Sequence, residues 1–307
     1  MRVAVVGAGA IGGWIAARLA LAANEVMALT SRGPVERLEI SDGGDTAAAT
    51  LSTFEEPTEL LVIAVKAPAL PGVAPTLGPL IRPETLIVPM LNGVPWWFVE
   101  GEPLRSIDPD GTIAASLPMD QIIGCVVHAS CSRPAPERIV VRHADKLIIG
   151  EPHGESSERL ARLYALLDRA GLRPDQTGNV RRAIWYKLWG NATINPLSAL
   201  TRATCDLILA DRECRAWMLD GMAELAAIGT AIGCPITESG EDRMAVTARL
   251  GAFKTSMLQD VEAGRAIELE ALVGAPREIA RREGIDTPAL DRLYGVTKLM
   301  AESLGLG

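Results

Sequence analysis

The chain has 307 residues, 48% hydrophobic and 22% charged, a composition that suits two globular cores better than one. Thirty basic residues against 38 acidic ones give a net charge of -8 without blocks of like charge, which excludes a basic nucleic-acid footprint and a polybasic membrane patch. Five cysteines form no C-x-x-C pair and three histidines no H-E-x-x-H, so neither a metal site nor a disulfide framework is expected.

Reduced thiols suit a cytoplasmic protein. No apolar run approaches the roughly 18 residues that a spanning helix needs, and the mature chain is expected to begin at Met1.

Val3 to Val6 is a short β-branched run, followed by Gly7-Ala8-Gly9-Ala10-Ile11-Gly12-Gly13 and a stretch of helical composition from Trp14 to Ala23. A second strand signal at Glu25 to Thr30 completes the context of a dinucleotide-binding turn. Gly7 permits the tight turn, Gly9 lets backbone approach a pyrophosphate, and Gly12 lets helix pack on strand. After the second strand an NAD site usually carries a carboxylate for the ribose. Here Ser31-Arg32 stand instead, and a guanidinium fork suits a phosphate, so NADP(H) is the expected cofactor.

Asp42 to Asp45 suggests a hairpin, and Leu60 to Val65 and Thr85 to Leu91 read as strands. They end in Lys66 and in Asn92-Gly93, where an open parallel sheet gathers ligands; a solvated strand end and a plain turn are the competing readings. The five prolines from Pro68 to Pro83 leave only short helical pieces between them. Trp96, Trp97 and Phe98 are three of only twelve aromatic residues in the chain, and a satellite hydrophobic cluster under a long loop is the expectation. Ile122 to Ser130, Arg138 to Arg142 and Lys146 to Ile149 read as strands, the last two as a hairpin.

Ser156 to Ala170 is an amphipathic helix and Gly171 to Asn179 a linker. After it the β signal stops, and helices are expected from Arg182, over Arg212 to Ile232, Glu241 to Gly264 and Ile267 to Arg282, and after Pro288. The domains are therefore 1–178, a Rossmann-type α/β doubly wound sheet, and 179–307, all α. In the first helix Lys187, Asn191 and Asn195 recur every four residues and span an arc of about 80°. Their neighbours are apolar, and burying an ammonium and two amides there is costly without partners, which a ligand can supply. A solvated stripe is the alternative. Further on, Ser256 and Asp260 can share a helix face, Arg265 can pair with Asp260, and Glu268 suits a helix start.

These residues together resemble the ketopantoate reductase family (2-dehydropantoate 2-reductases), whose Rossmann domain precedes a helical domain like that of 6-phosphogluconate dehydrogenase. The match runs through G-A-G-A-I-G-G (Gly7 to Gly13), V-K-A (Val65 to Ala67), N-G-V (Asn92 to Val94), W-Y-K-L-W-G-N-A-T-I-N-P-L (Trp185 to Leu197) and S-M-L-Q-D-V-E-A-G-R-A-I-E (Ser256 to Glu268).

The resemblance implies NADPH-dependent reduction of a 2-keto acid, foremost 2-dehydropantoate to pantoate, with Lys187 as proton donor and Glu268 organising cofactor and substrate. It implies substrate contacts from Asn191, Asn195, Ser256 and Asn92. Cofactor contacts are implied for Gly7, Ala8, Gly9, Ala10, Ile11, Gly12, Ser31, Arg32, Lys66, Asn92, Ser130 and Glu268, without a metal, in a homodimer built through the helical domain. The chain departs from the family pattern at Ala69, at Pro95-Trp96-Trp97 and near Thr204-Cys205. These departures keep open a related reductase of another 2-keto acid. A non-catalytic NADP(H)-binding regulator is a further alternative, although it predicts loss of the lysine.

Overall fold

The N-terminal β-branched run forms β1 (Arg2–Val6), buried along nearly all its length, in a computed structural model that describes residues 1–249 and 251–306. It is followed by α1 (Ala10–Leu21), β2 (Glu25–Thr30), β3 (Gly33–Val35), β4 (Arg37–Asp42), β5 (Asp45–Thr50) and β6 (Leu60–Ile63). The chain then forms α2 (Leu70–Val73), β7 (Leu86–Pro89), α3 (Thr112–Ser116), β8 (Gly124–Ala135), β9 (Arg138–Gly150), α4 (Glu158–Arg169) and β10 (Pro174–Gln176). Two compact units result: Met1–Leu91 with Gly111–Ala183, and Asn92–Asp110 with Ile184–Gly307.

The first unit carries a sheet in the order β3-β2-β1-β6-β7, parallel except for β3. Because the chain passes from β1 to β2 on one side and β6 adds on the other, the carboxyl ends of β1 and β6 flank the point where strand order reverses. Gly7 follows one end and Lys66 lies just beyond the other. A second sheet runs β10-β9-β4-β5, with β8 antiparallel on β9 and the Asp42–Asp45 hairpin as expected. Val5, Trp14, Leu38, Leu60, Ile139 and Leu167 belong to one buried core.

Two strand expectations change here. Residues 138–142 and 146–149 are one continuous strand, and the hairpin partner of β9 is β8. Arg142 to Asp145 contains no glycine or proline to turn the chain, and the irregularity is absorbed as register shifts at His128/Ala129 and Ser130/Cys131. The expected linker likewise contributes β10, which pairs with β9.

The boundary between the units falls inside α5 (Val180–Thr201), whose 22 residues include Pro196. The second unit continues with α6 (Cys205–Ala210), α7 (Arg212–Ala231), α8 (Gly240–Ala248), α9 (Ser256–Glu262), α10 (Ala275–Arg282) and α11 (Pro288–Ser303). The expected helix from Glu241 to Gly264 is two helices. Gly251 takes φ 64° between them, and Thr255 caps the second by accepting from the Leu258 amide; Leu250 lies outside the described residues. Glu268 precedes a helix that opens with a π-helical segment, Glu270–Gly274, before α10. Among the described residues no helix is long and apolar enough to cross a membrane.

Segment 92–110 belongs to the second unit. The Val94 amide donates to the Ala271 carbonyl at 2.8 Å, and Phe98 stacks on Trp185 with centroids 5.8 Å apart. Trp96, Trp97 and Phe98 are buried, as a satellite hydrophobic cluster requires. Glu278 accepts from the Arg105 and Ser106 amides and from the Ser106 hydroxyl, while Arg282 donates to the carbonyls of Glu102 and Pro103.

Candidate functional site

In the first unit the glycine turn is shaped by the two glycines that leave no room. A Cβ on Gly7, whose φ is 92°, would stand 2.5 Å from the Val65 nitrogen, and one on Gly12 would stand 2.2 Å from the Gly7 oxygen. Gly9 differs, because its Cβ would meet nothing closer than the Gly7 oxygen at 3.9 Å. Open space over Gly9 at the start of α1 is what a pyrophosphate approaching backbone amides requires, so the turn fits the phosphates of a dinucleotide. The amides of Gly7 and Ala8 both donate to the Leu29 carbonyl, which ties this turn to the end of β2. Ser31 and Arg32 follow there, with the Arg32 amide on the Thr30 hydroxyl at 3.1 Å and the Arg32 side chain exposed.

Lys66 is half-buried just beyond β6, and its carbonyl accepts from the Ala69 amide. Ser130, expected after a strand, sits inside β8 at the register shift, because β8 runs on to Ala135. Sequence reasoning missed Arg133. Its guanidinium donates to the Ala8 carbonyl in the glycine turn and to the Pro136 carbonyl. Burial, and then the nearby Arg32, push its pKa down, so two guanidinium groups share the surroundings of the turn. Only the course of β8, legible to no local pattern, brings Arg133 there.

In the second unit the Lys187 ammonium donates to the side-chain oxygen of Asn92 at 3.0 Å, and the Asn92 amide nitrogen donates to Glu268 at 3.2 Å. Glu268 is 5% exposed. The order of the bonds fixes the amide: turned over, it would set its NH2 against the ammonium and its oxygen against the carboxylate.

Asn191 and Asn195 follow on the same face of α5, and Asn195 is 5% exposed with no hydrogen-bond partner for its side chain among the described residues. Trp185 and Trp189, on other faces, donate to the carbonyls of Leu225 and Met222 and fix the helix in its core. Ser256 is half-buried at the first position of α9. Asp260, four residues on, is taken by Arg265 at 3.0 Å, as the competing reading held.

Thiol chemistry does not suit these surroundings. Burial, with Asp42 adding to it, pushes the Cys131 thiol up to about 12, and burial with Asp206 pushes Cys205 up to about 11, so neither supplies a thiolate at neutral pH. Among the described residues no cluster of three metal-ligating side chains occurs.

Comparison with known proteins places the two units in one family. The profile of ketopantoate reductase PanE/ApbA matches residues 3–154, and that of the ketopantoate reductase PanE/ApbA C terminal matches residues 179–301. A 2-dehydropantoate 2-reductase of Mesorhizobium japonicum is 35% identical over 325 aligned positions, which cover 99% of each chain. The chain belongs to the ketopantoate reductase family.

The fold agrees with that membership. A Ralstonia solanacearum MolK2 protein assigned to the ketopantoate reductases superposes with a TM-score of 0.92 at 43% identity, over 100% of this chain and 99% of that one. A D-mandelate dehydrogenase solved with NADH and anilino(oxo)acetate has a TM-score of 0.84 at 20% identity over the full length of both chains, a likeness of fold alone. As a ketopantoate reductase relative the protein is an oxidoreductase acting on CH–OH. The residues expected to serve that chemistry fall in two groups, the glycine turn with Arg32, Lys66 and Ser130 in the first unit, and Lys187, Asn92, Glu268, Asn191, Asn195 and Ser256 in the second.

Proposed function

We propose that the protein reduces 2-dehydropantoate to pantoate with NADPH and that Lys187 is the proton donor. The observation that carries this reading is the ordered set Lys187–Asn92–Glu268, an ammonium fixed by an amide that a buried carboxylate holds in turn. Residues 7–12 would receive the pyrophosphate, Gly7, Ala8 and Gly9 by shaping the turn, since their amides are bonded to Leu29 and Gly7, and the first residues of α1 by their backbone amides. Ser31 and Arg32 would hold the 2′-phosphate, and Lys66, Asn92, Ser130 and Glu268 the remaining cofactor contacts. A nicotinamide held by these residues would supply the hydride for the carbonyl carbon of the keto acid.

Reduction places negative charge on the carbonyl oxygen, and the Lys187 ammonium stabilises that charge and gives up a proton to it. Asn92 keeps the ammonium at one place, so no reorganisation is needed as charge develops. Glu268 holds Asn92 in the orientation that accepts from the lysine. Asn191, Asn195 and Ser256 position the substrate with neutral donors and acceptors.

A related reductase of another 2-keto acid is the second reading, favoured by Ala69, Pro95-Trp96-Trp97 and Thr204-Cys205, where the chain departs from the family pattern. NADPH oxidation over a panel of 2-keto acids separates the two. The proposal expects 2-dehydropantoate to give the highest kcat/KM. A different acid at the top transfers the assignment to the second reading, and no turnover with any 2-keto acid contradicts both.

A further inference from the structure

We infer that Arg243, on α8, binds the carboxylate of the acid substrate, an inference that rests on the 2-keto acid reading above. The guanidinium lies against Gly190 of α5: a Cβ at that glycine would stand 2.7 Å from Nη2, 2.9 Å from Cζ and 3.0 Å from Nε. Gly190 precedes Asn191 by one residue and follows Lys187 by three, so on the helix it lies about 60° from Lys187, on the side opposite Asn191. Arg243 therefore flanks the stripe that carries the proton donor and the substrate asparagines. The absence of a side chain at Gly190 is what admits it.

Its bonding is incomplete. Nη1 donates to the Thr247 hydroxyl at 3.0 Å, and the Tyr186 ring lies 5.8 Å from the guanidinium carbon. No carboxylate among the described residues pairs with it, Nε is enclosed without a hydrogen-bond partner, and Nη2 is unpaired but not enclosed. Burial pushes its pKa down, with Tyr186 opposing; an arginine nonetheless stays charged. The aromatic contact lies against the flat side of the guanidinium and uses none of its in-plane N–H groups; with Nη1 on Thr247 and Nε enclosed, Nη2 is the one left to donate to a carboxylate oxygen. Lys187, Asn191, Asn195 and Ser256 account for the reacting oxygen and for neutral polar contacts. None besides the lysine is a cation, and a 2-keto acid brings a permanent negative charge that needs one.

The test is calorimetric titration of the full-length, NADP-loaded protein with pantoate and with the uncharged primary amide of pantoate. Wild type is expected to bind the acid more tightly by about tenfold or more, the range for a hydrogen bond between charged groups. Arg243→Gln is expected to bring the ratio to within about twofold, and Arg243→Lys to restore part of it. Gly190→Ala, which leaves the arginine in the chain but crowds its Nη2, is expected to lower the ratio as well, and it serves as the readout should Arg243→Gln fail to fold. A ratio left intact in these variants overturns the inference while the reductase reading stands. A wild type that binds neither compound, or both alike, overturns the inference too, and if it also turns over no 2-keto acid the reductase reading fails with it.

Discussion

An arginine that follows a strand end in place of a carboxylate discriminates between cofactors only if a phosphate reaches it. Arg32 is exposed beside the glycine turn and its guanidinium is available to a 2′-phosphate, whereas Arg133, in the same surroundings, is bonded to the carbonyls of Ala8 and Pro136. Arg32→Ala should weaken NADPH binding by about tenfold and leave NADH binding nearly unchanged, as expected for one charge-assisted contact. Fluorescence titration of both cofactors checks it; equal loss for the two would show that Arg32 does not read the phosphate. At the substrate end, Asn195 is buried with no hydrogen-bond partner for its amide among the described residues, so Asn195→Ala should raise KM more than it lowers kcat, since an amide positions a substrate but does not protonate it at neutral pH.

The four-residue spacing of Lys187, Asn191 and Asn195 was legible in the sequence because helix geometry converts spacing directly into a shared face. The bond from Lys187 to Asn92 was not legible as a contact. It joins residues 95 apart in the chain, and no local rule reaches that far.

Among the elements, segment 92–110 depends on two side chains of α10. Burial raises the Glu278 pKa, but the Ser106 amide and hydroxyl, the Arg105 amide and Arg282 outweigh it and hold the carboxyl below its ordinary value of 4.5. A carboxyl depressed in the folded state stabilises it fully above that ordinary value and loses the contribution as pH falls through the lower, folded one. Glu278→Ala should cost about 1.5–3 kcal/mol, the range for hydrogen bonds to a charged group, and it should lower protection of the Arg105 and Ser106 amides in hydrogen exchange. In the native protein the same amides should lose protection only below pH 4.5. Unchanged protection in the variant would remove Glu278 as the anchor.

At this scale the parallel strands and the glycine turn were readable from apolar runs and punctuation. The places where reading failed share a cause. β9 runs through Arg142 to Asp145 because strand pairing carries an irregular stretch, and the helix expected from Glu241 breaks where a left-handed glycine and a threonine cap stand inside an otherwise helical composition. A segment whose partners come from a distant helix, such as 92–110, carries no sign of them in its own residues.

For the whole molecule, we propose a homodimer through the helical domain, which the family resemblance implies. Leu299 and Val296 of α11 are 67% and 45% exposed and lie three residues apart on one face, apolar surface that a partner subunit would cover. Sedimentation at micromolar concentration should give twice the chain mass, 32.6 kDa, and Leu299→Glu should shift the species toward monomer. A wild type that sediments as a monomer would contradict the dimer. Composition and charge had already narrowed the protein to a two-domain globular chain without a nucleic-acid footprint. The substrate lay beyond them, because composition and net charge carry no information about the few side chains that would contact it.

The role of Lys187 as proton donor is tested most directly by comparing Lys187→Ala with wild type in two measurements made together, kcat with 2-dehydropantoate and the equilibrium affinity for NADPH. Removing an interaction made chiefly in the transition state should lower kcat by about 10² or more while NADPH affinity changes by less than about twofold. A variant that keeps near-normal kcat, or whose only defect is weak NADPH binding, would make Lys187 a cofactor contact and contradict its assignment as the donor.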